Sequence, residues 1–343
     1  MTKDRLYLDW NATAPLRPEA KDAMVDAFSL CGNPSSVHAE GRAAKALVER
    51  ARGRIANAIG CKAKEIVFVS GATEAAQVLA TWPGTVAVDP TAHDAIWAQR
   101  REAPDGPTIF AYGMANSETG VITPHAEVAD VAVCVDLTQA VGRIPVAFGW
   151  SGADLGIVSA HKFGGPKGVG ALIVKEGLDI TPLSAGGGQE MGRRAGTENV
   201  IGIAGFAAAI EAACAELEAG IWTGVRERRD KMEAEMQARV PECVLVGAHK
   251  DRLPNTSCVV VPGWKGETQV MQMDLAGYAI SAGSACSSGK VKPSRVLASM
   301  GYDDDHAASA IRVSFGPDVT QQDLDGFVAD WSRAYERHRA RAA

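Results

Sequence analysis

The chain has 343 residues, 46% hydrophobic and 22% charged, the composition of a folded globular protein with room for one large core and a second domain. Its formal charge of −6 argues against a nucleic acid or an anionic membrane surface as partner, because both recruit basic patches. The opening run MTKDRLYLDW lacks the apolar centre of a signal peptide, and no uninterrupted apolar run approaches a membrane span, so the expected location is the cytoplasm.

In chain order, a helix is expected from about Gly41 to Ile59, with Leu47, Ala51, Ile55 and Ala58 on one stripe and Gly60 closing it. Strands follow at IVFVS (66–70), TVAVD (85–89), TIFAYG (108–113), VAVCVD (131–136), LGIVSA (155–160) and GALIVK (170–175). They are short, apolar throughout and rich in β-branched residues, as strands covered on both faces must be. Helices are expected between them, one from about Thr73 and one through HAEVADV (125–131). Near residue 220 the texture changes. An apolar helix (IGIAGFAAAIEAACAELEAG) and a charged one (VRERRDKMEAEMQARV) precede separated strands at CVLVG, SCVVVP and IRVSFG. This reads as an α/β domain over 13–218 and a smaller α+β domain formed by 1–12 and 219–343.

Two strand ends carry chemistry. One strand ends in Asp136, and another runs into Ser159-Ala160-His161-Lys162 before a glycine pair. Ligands of α/β sheets sit at the carboxyl ends of strands, so the acid and the lysine are expected to face one crevice. A partly desolvated lysine there is a nucleophile toward aldehydes, although a lysine after a buried strand is as often an ordinary surface residue. GGPKGVG lacks the spacing of a nucleotide-binding P-loop. In VSGATEAAQ, a strand meets Gly71-Ala72-Thr73 and then a helix, which aims amide groups at an anion. A phosphate cradle, a carboxylate and a lysine together are what pyridoxal 5′-phosphate requires. The seven cysteines contain no Cys-x-x-Cys pair, so no metal site is expected. Cys134 reads as core, whereas Cys286 lies in SAGSACSSGK, a tether of small residues.

Ten ordered motifs spread over almost the whole chain carry a resemblance: YLDWNATAP, GNPSSVHAEGR, VFVSGATE, TAHDAI, ANSETGVITP, VDLTQAVGRIPV, SAHKFGGPKGVGAL, GGGQE with RRAGTENV, SAGSACSSG and IRVSFG. With these the chain resembles a group I (NifS/IscS-like) cysteine desulfurase of the class V aminotransferase superfamily. The resemblance implies fold type I, with a mostly parallel seven-stranded sheet in the large domain. It further implies Lys162 as the Schiff-base lysine, Asp136 as partner of the pyridine nitrogen, Gln139 on the phenolic oxygen, and His93 stacked on the ring as a proton shuttle. Thr73, Ser159, His161 and the Ala72 backbone would hold the phosphate. Thr197 would reach the phosphate of a neighbouring subunit, which implies a homodimer. Asn116 and Arg312 would bind the substrate carboxylate, a task that suits the planar fork of arginine.

The tethered Cys286 then has a purpose. It would take the sulfur of L-cysteine as a persulfide, leave alanine, and present the sulfur to an acceptor such as an iron–sulfur scaffold protein. Selenocysteine lyase, a plain class V aminotransferase and a catalytically retired sulfur-transfer scaffold are the competing readings. The chain departs from the family in being short between Thr73 and Asp136, in Met191 where an arginine is frequent, and in Ala75-Ala76-Gln77 replacing a more polar run.

Overall fold

A computed structural model describes residues 5–123, 131–282 and 294–342. Two expectations therefore lie outside the described residues: the helix through HAEVADV, apart from its last residue, and the tether with Cys286. The chain divides into two compact units, one of residues 13–115 and 123–219 and one of residues 1–12, 116–122 and 220–343. The first strand, β1 (Leu6–Tyr7), belongs to the second of these.

The larger unit is built on a six-stranded sheet of β2 (Ile66–Val69), β3 (Val86–Val88), β4 (Ile109–Gly113), β5 (Ala132–Asp136), β6 (Leu155–Ser159) and β7 (Gly170–Val174), in the order β2-β7-β6-β5-β4-β3. Strands β3 to β6 are parallel, and β7 runs against both β6 and β2. It follows that β2 to β6 all point the same way and present their carboxyl ends on one edge. Alternation along β2 shows why these sequences are apolar throughout. Ile66 and Phe68 enter a core with Val48, Ile55 and Phe206, while Val67 and Val69 enter another with Val78, Leu79 and Ile96.

The sheet has six strands among the described residues, not the seven implied by the resemblance. The six strands are those the apolar runs predict. Beyond β3 only Arg101 pairs among the described residues, exchanging both backbone hydrogen bonds with Val86. Its guanidinium donates to the carbonyls of Leu79, Ala80 and Trp82, so one residue closes the edge and caps the preceding helix.

Helices α1 (Pro18–Ala27), α2 (Ala39–Ile59) and α6 (Val200–Glu218) cover one face. α2 ends at Gly60, whose φ of 76° gives the left-handed cap expected from the sequence. Its most buried stripe is Val48, Ala51, Ile55 and Ile59, one residue round from the expected Leu47 and Ala58 positions. A Cβ on Gly205 would lie 2.7 Å from Met24 Cγ, so the glycine permits α6 to approach α1. α6 alone among the described helices has the length and apolarity of a membrane span, contrary to the reading of the sequence, but over half of that window is buried within the protein. The helix expected from Thr73 is two single turns, α3 (Ala72–Ala75) and α4 (Gln77–Ala80), joined at Ala76. α5 (Asp94–Trp97) follows β3.

The smaller unit holds a four-stranded antiparallel sheet, in the order β11-β12-β9-β8, of β8 (Val244–Leu245), β9 (Thr256–Val260), β11 (Ser281–Ala282) and β12 (Ala310–Ser314). β10 (Tyr278–Ala279) pairs in parallel with β1. Its helices are α7 (Ile221–Arg239), α8 (Gly266–Leu275), α9 (Arg295–Ser299), α10 (Asp304–Ala308) and α11 (Gln321–Ala342). Trp264 and Trp331 are fully buried with ring centroids 5.6 Å apart. The excursion 116–122 is stitched into this unit by backbone bonds from Leu253 to Gly120 (2.7 Å) and from Ile122 to Asp251 (2.8 Å).

Candidate active site

In the larger unit the predicted residues gather at the carboxyl edge of the sheet. β2 leads to Gly71-Ala72-Thr73, β3 to His93, β5 to Asp136 and Gln139, and β6 to Ser159, His161 and Lys162. The glycine turn and the end of β6 are adjacent: a Cβ on Gly71 would sit 3.6 Å from Ser159 Oγ. Gly170, the β-partner of Ser159, lies so close that its own Cβ would fall 2.9 Å from Gly71 Cα. Small residues therefore let the turn close over the end of β6.

Asp136 ends β5 between Gly113 and Ile157 of the flanking strands. Its Oδ1 accepts from the Thr138 amide at 2.9 Å, which fixes the carboxylate at the head of the following turn. Gln139 is buried, and its Oε1 accepts from Arg143 Nη1. The second arm of Arg143 donates to the Lys162 carbonyl at 2.7 Å. Lys162 is half-buried in the single 3-10 turn that follows β6.

His161 lies 3.1 Å from Thr13 Oγ1 through Nδ1. Burial, then the positive charges of Lys162, Lys167 and Arg143, push its ring pKa down to about 4. It is therefore neutral at physiological pH. His93 is exposed and caps α5, its Nδ1 accepting from the Ala95 amide at 3.2 Å. That bond requires the ring proton to reside on Nε2. Thr197 is exposed on a loop tied back to the glycine turn by the Arg194–Glu74 ion pair at 2.9 Å. Burial raises the Glu74 carboxyl pKa, but bonds from Arg194 and Ser70 outweigh it and the pKa is lowered.

Asn116 and Arg312 belong to the smaller unit, where they are brought together. Arg312 Nη1 donates to the carbonyl of Ser117, next to Asn116, and Nη2 pairs with Asp9 Oδ1 at 2.7 Å. Its Nε is buried and has no partner among the described residues. Asn116 Oδ1 accepts from the amides of Glu118 and Thr119 and from Thr119 Oγ1, which shapes its own turn. No group of three or more potential metal ligands occurs among the described residues.

Sequence reasoning missed Arg143, Glu74 with Arg194, and Asp9. Arg143 was legible, since it follows Gln139 by four residues in one motif. The pairs Glu74–Arg194 and Asp9–Arg312 are 120 and 303 residues apart, and no local pattern announces them.

Comparison with known proteins places the chain as a whole. A cysteine desulfurase IscS of Dictyoglomus turgidum is 36% identical over 379 aligned positions, covering 98% of this chain and 96% of that protein. A cysteine desulfurase of Cereibacter sphaeroides is 38% identical, covering 94% and 93%. Among solved structures, a NifS-like protein from Rickettsia africae superposes with a TM-score of 0.87 at 29% identity, covering 97% of this chain and 99% of that one. The profile of class V aminotransferases matches residues 6–96 and 85–327, a continuous reach that takes in every strand from β1 to β12. By that match, and by relatives alike over nearly their whole length, the chain belongs to the class V aminotransferase family.

Proposed function

We propose that the protein is a pyridoxal-phosphate-dependent cysteine desulfurase, converting L-cysteine to L-alanine and passing the sulfur through Cys286 to an acceptor protein. The observation that carries this reading is the convergence of Gly71–Thr73, Asp136, Gln139, Ser159 and Lys162 at one edge of the sheet, in a family whose similar members are named for that activity.

The residues fit the cofactor. The turn at Gly71 passes so close to Gly170 that a Cβ on Gly170 has no room, and this brings the turn beside Ser159, which suits a phosphate held by the Ala72 amide, Thr73, Ser159 and His161. A neutral His161 can donate to the phosphate without adding charge. Asp136 would keep the pyridine nitrogen protonated, Gln139 would donate to the phenolic oxygen, and the Lys162 amine would anchor the group. When bound, the cofactor supplies an electron sink for the substrate α-carbon.

Arg312 would receive the substrate carboxylate with its unused Nε, beside Asn116. His93 would serve as a proton shuttle by first donating its Nε2 proton and only then taking one up at that atom, its Nδ1 being committed to Ala95. The Cys286 thiolate would attack the substrate sulfur. The carbon–sulfur bond breaks with its electron pair going to the three-carbon fragment, which takes up protons and leaves as alanine, while the sulfur stays as a persulfide. Thr197, on an exposed loop, suits contact with the phosphate of a second subunit in a homodimer.

The test is turnover of L-cysteine with a reductant present, following alanine and sulfide, and repeated with L-selenocysteine. Equal amounts of alanine and sulfide, with sulfide lost in Cys286→Ser while the cofactor stays bound, are the expected result. Sulfide release that survives in Cys286→Ser, or turnover of selenocysteine alone, would overturn the reading.

A further inference from the structure

Arg143 joins the two turns that carry the anchoring residues. It sits in the turn after β5 and is 2% exposed. One arm of its guanidinium donates to Gln139 Oε1, and the other donates to the Lys162 carbonyl at 2.7 Å. A guanidinium can only donate, so it accepts no choice of amide orientation: Gln139 must offer Arg143 its oxygen, and the amide nitrogen becomes the end turned elsewhere. The bond to Lys162 is made to the backbone, so the same side chain also fixes the turn from which the lysine projects.

We propose that Arg143 is a positioning residue that aims the donor end of Gln139 at the cofactor's phenolic oxygen, and so loosens the proton held between that oxygen and the Lys162 nitrogen. The proposal rests on the assignment of Gln139 and Lys162 made under the proposed function. Its physical basis is simple. A donor on the phenolic oxygen, backed by a buried cation, stabilises the anionic oxygen, and a nitrogen beside a better-stabilised anion binds its proton less tightly. The titratable groups around the two turns are Asp136 at the end of β5, the neutral His161 with Lys162 and Lys167 after β6, and Arg17 before α1. Arg17 bonds the Phe163 carbonyl and pairs with Glu216 of α6. α6 itself meets the Arg143 turn through Ala213, 2.6 Å from where a Cβ on Gly142 would lie.

The readout is the visible absorbance of the lysine-bound cofactor as a function of pH, recorded without substrate on holoenzyme. In Arg143→Met the midpoint should rise by about one pH unit. Arg143→Lys, which keeps the charge in a conservative side chain but cannot form the two-armed fork, should shift by less and covers the case in which the methionine variant fails to fold. Gln139→Ala should move the midpoint in the same direction. In the double variant, removing Arg143 should add less than half of what it adds alone, because the two act in series. A wild-type midpoint in both Arg143 variants would overturn the proposal, as would shifts that simply add. An unmoved midpoint in Gln139→Ala would also overturn it, and would place the fault in the assignment of Gln139. Absence of the visible band in wild type would locate the failure in the cofactor reading itself, which Lys162→Ala checks independently.

Discussion

Two buried guanidiniums, one in each unit, are used in opposite ways. Arg52 of α2 pairs bidentately with Glu190 at 2.8 Å on both arms, donates to the Ile66 carbonyl, reaches Glu49 through Nε and lies 4.7 Å from the centroid of the Phe68 ring. Glu190 in turn accepts from the Phe68 amide. Arg312 pairs with Asp9 and a carbonyl but keeps a buried Nε without a partner among the described residues. A guanidinium whose donors are all engaged holds structure in place. One with a donor left over keeps capacity for an acceptor that arrives later.

The largest expected effect tests the saturated pair. Glu190→Gln leaves Arg52 charged where the side chain is 6% exposed, and should cost about 3–5 kcal/mol of unfolding free energy in urea. Glu190 and Met191 are the only non-glycine residues with positive φ among those described, at 50° and 57°, so the ion pair also holds a strained loop. A loss below about 1 kcal/mol would erase the contrast.

Arg312→Gln is the intermediate case. Its kcat/KM for L-cysteine should fall roughly tenfold to a hundredfold, the worth of a charge-assisted bond. Its unfolding free energy should change by only about 1 kcal/mol, because Asp9 is partly hydrated. A collapse in stability comparable with that of Glu190→Gln would make Arg312 a structural residue.

The smallest effect concerns a cationic neighbourhood relieved by a neutral ring. His161 has a folded pKa of about 4 against an ordinary 6.5, so the unfolded chain takes up the proton first as pH falls. In cofactor-free protein its contribution is complete above pH 6.5 and is lost progressively as pH drops toward 4. Urea titrations across that window should show a slope that shrinks in His161→Asn; equal slopes would mean that other groups set the acid limit.

The legibility of the molecule follows the range of its interactions. The strands of the larger unit were readable because burial on both faces demands unbroken apolar runs, and α2 was readable because Gly60 is where its cap needs a left-handed residue. The strand-end placement of Asp136 and Lys162 followed from the same patterns. The helix expected from Thr73 is broken into two turns at Ala76, and the chain is stopped by the distant Arg101 cap on Leu79, Ala80 and Trp82, which no local propensity announces. The excursion 116–122 was missed because its attachment is to Asp251 and Leu253, far along the chain. Residue types announced the candidate site; the ion pairs that frame it are long-range and silent in the sequence.

The pairing of β1 with β10 sets a schedule for biosynthesis. Leu6 and Tyr7 emerge from the ribosome about 270 residues before their partners Tyr278 and Ala279, a wait on the order of tens of seconds at cellular elongation rates. By then every described element of the larger unit has been made, the last ending at Glu218. Leu8, fully buried in the finished fold, has its amide bonded to Ala279 and its carbonyl to Ser314, so it stays without those partners until both have been translated. A nascent chain halted short of residue 278 would hold the six-stranded sheet yet leave its own first strand unpaired, exposed to chaperones and proteases, which ties maturation of the smaller unit to the completion of translation.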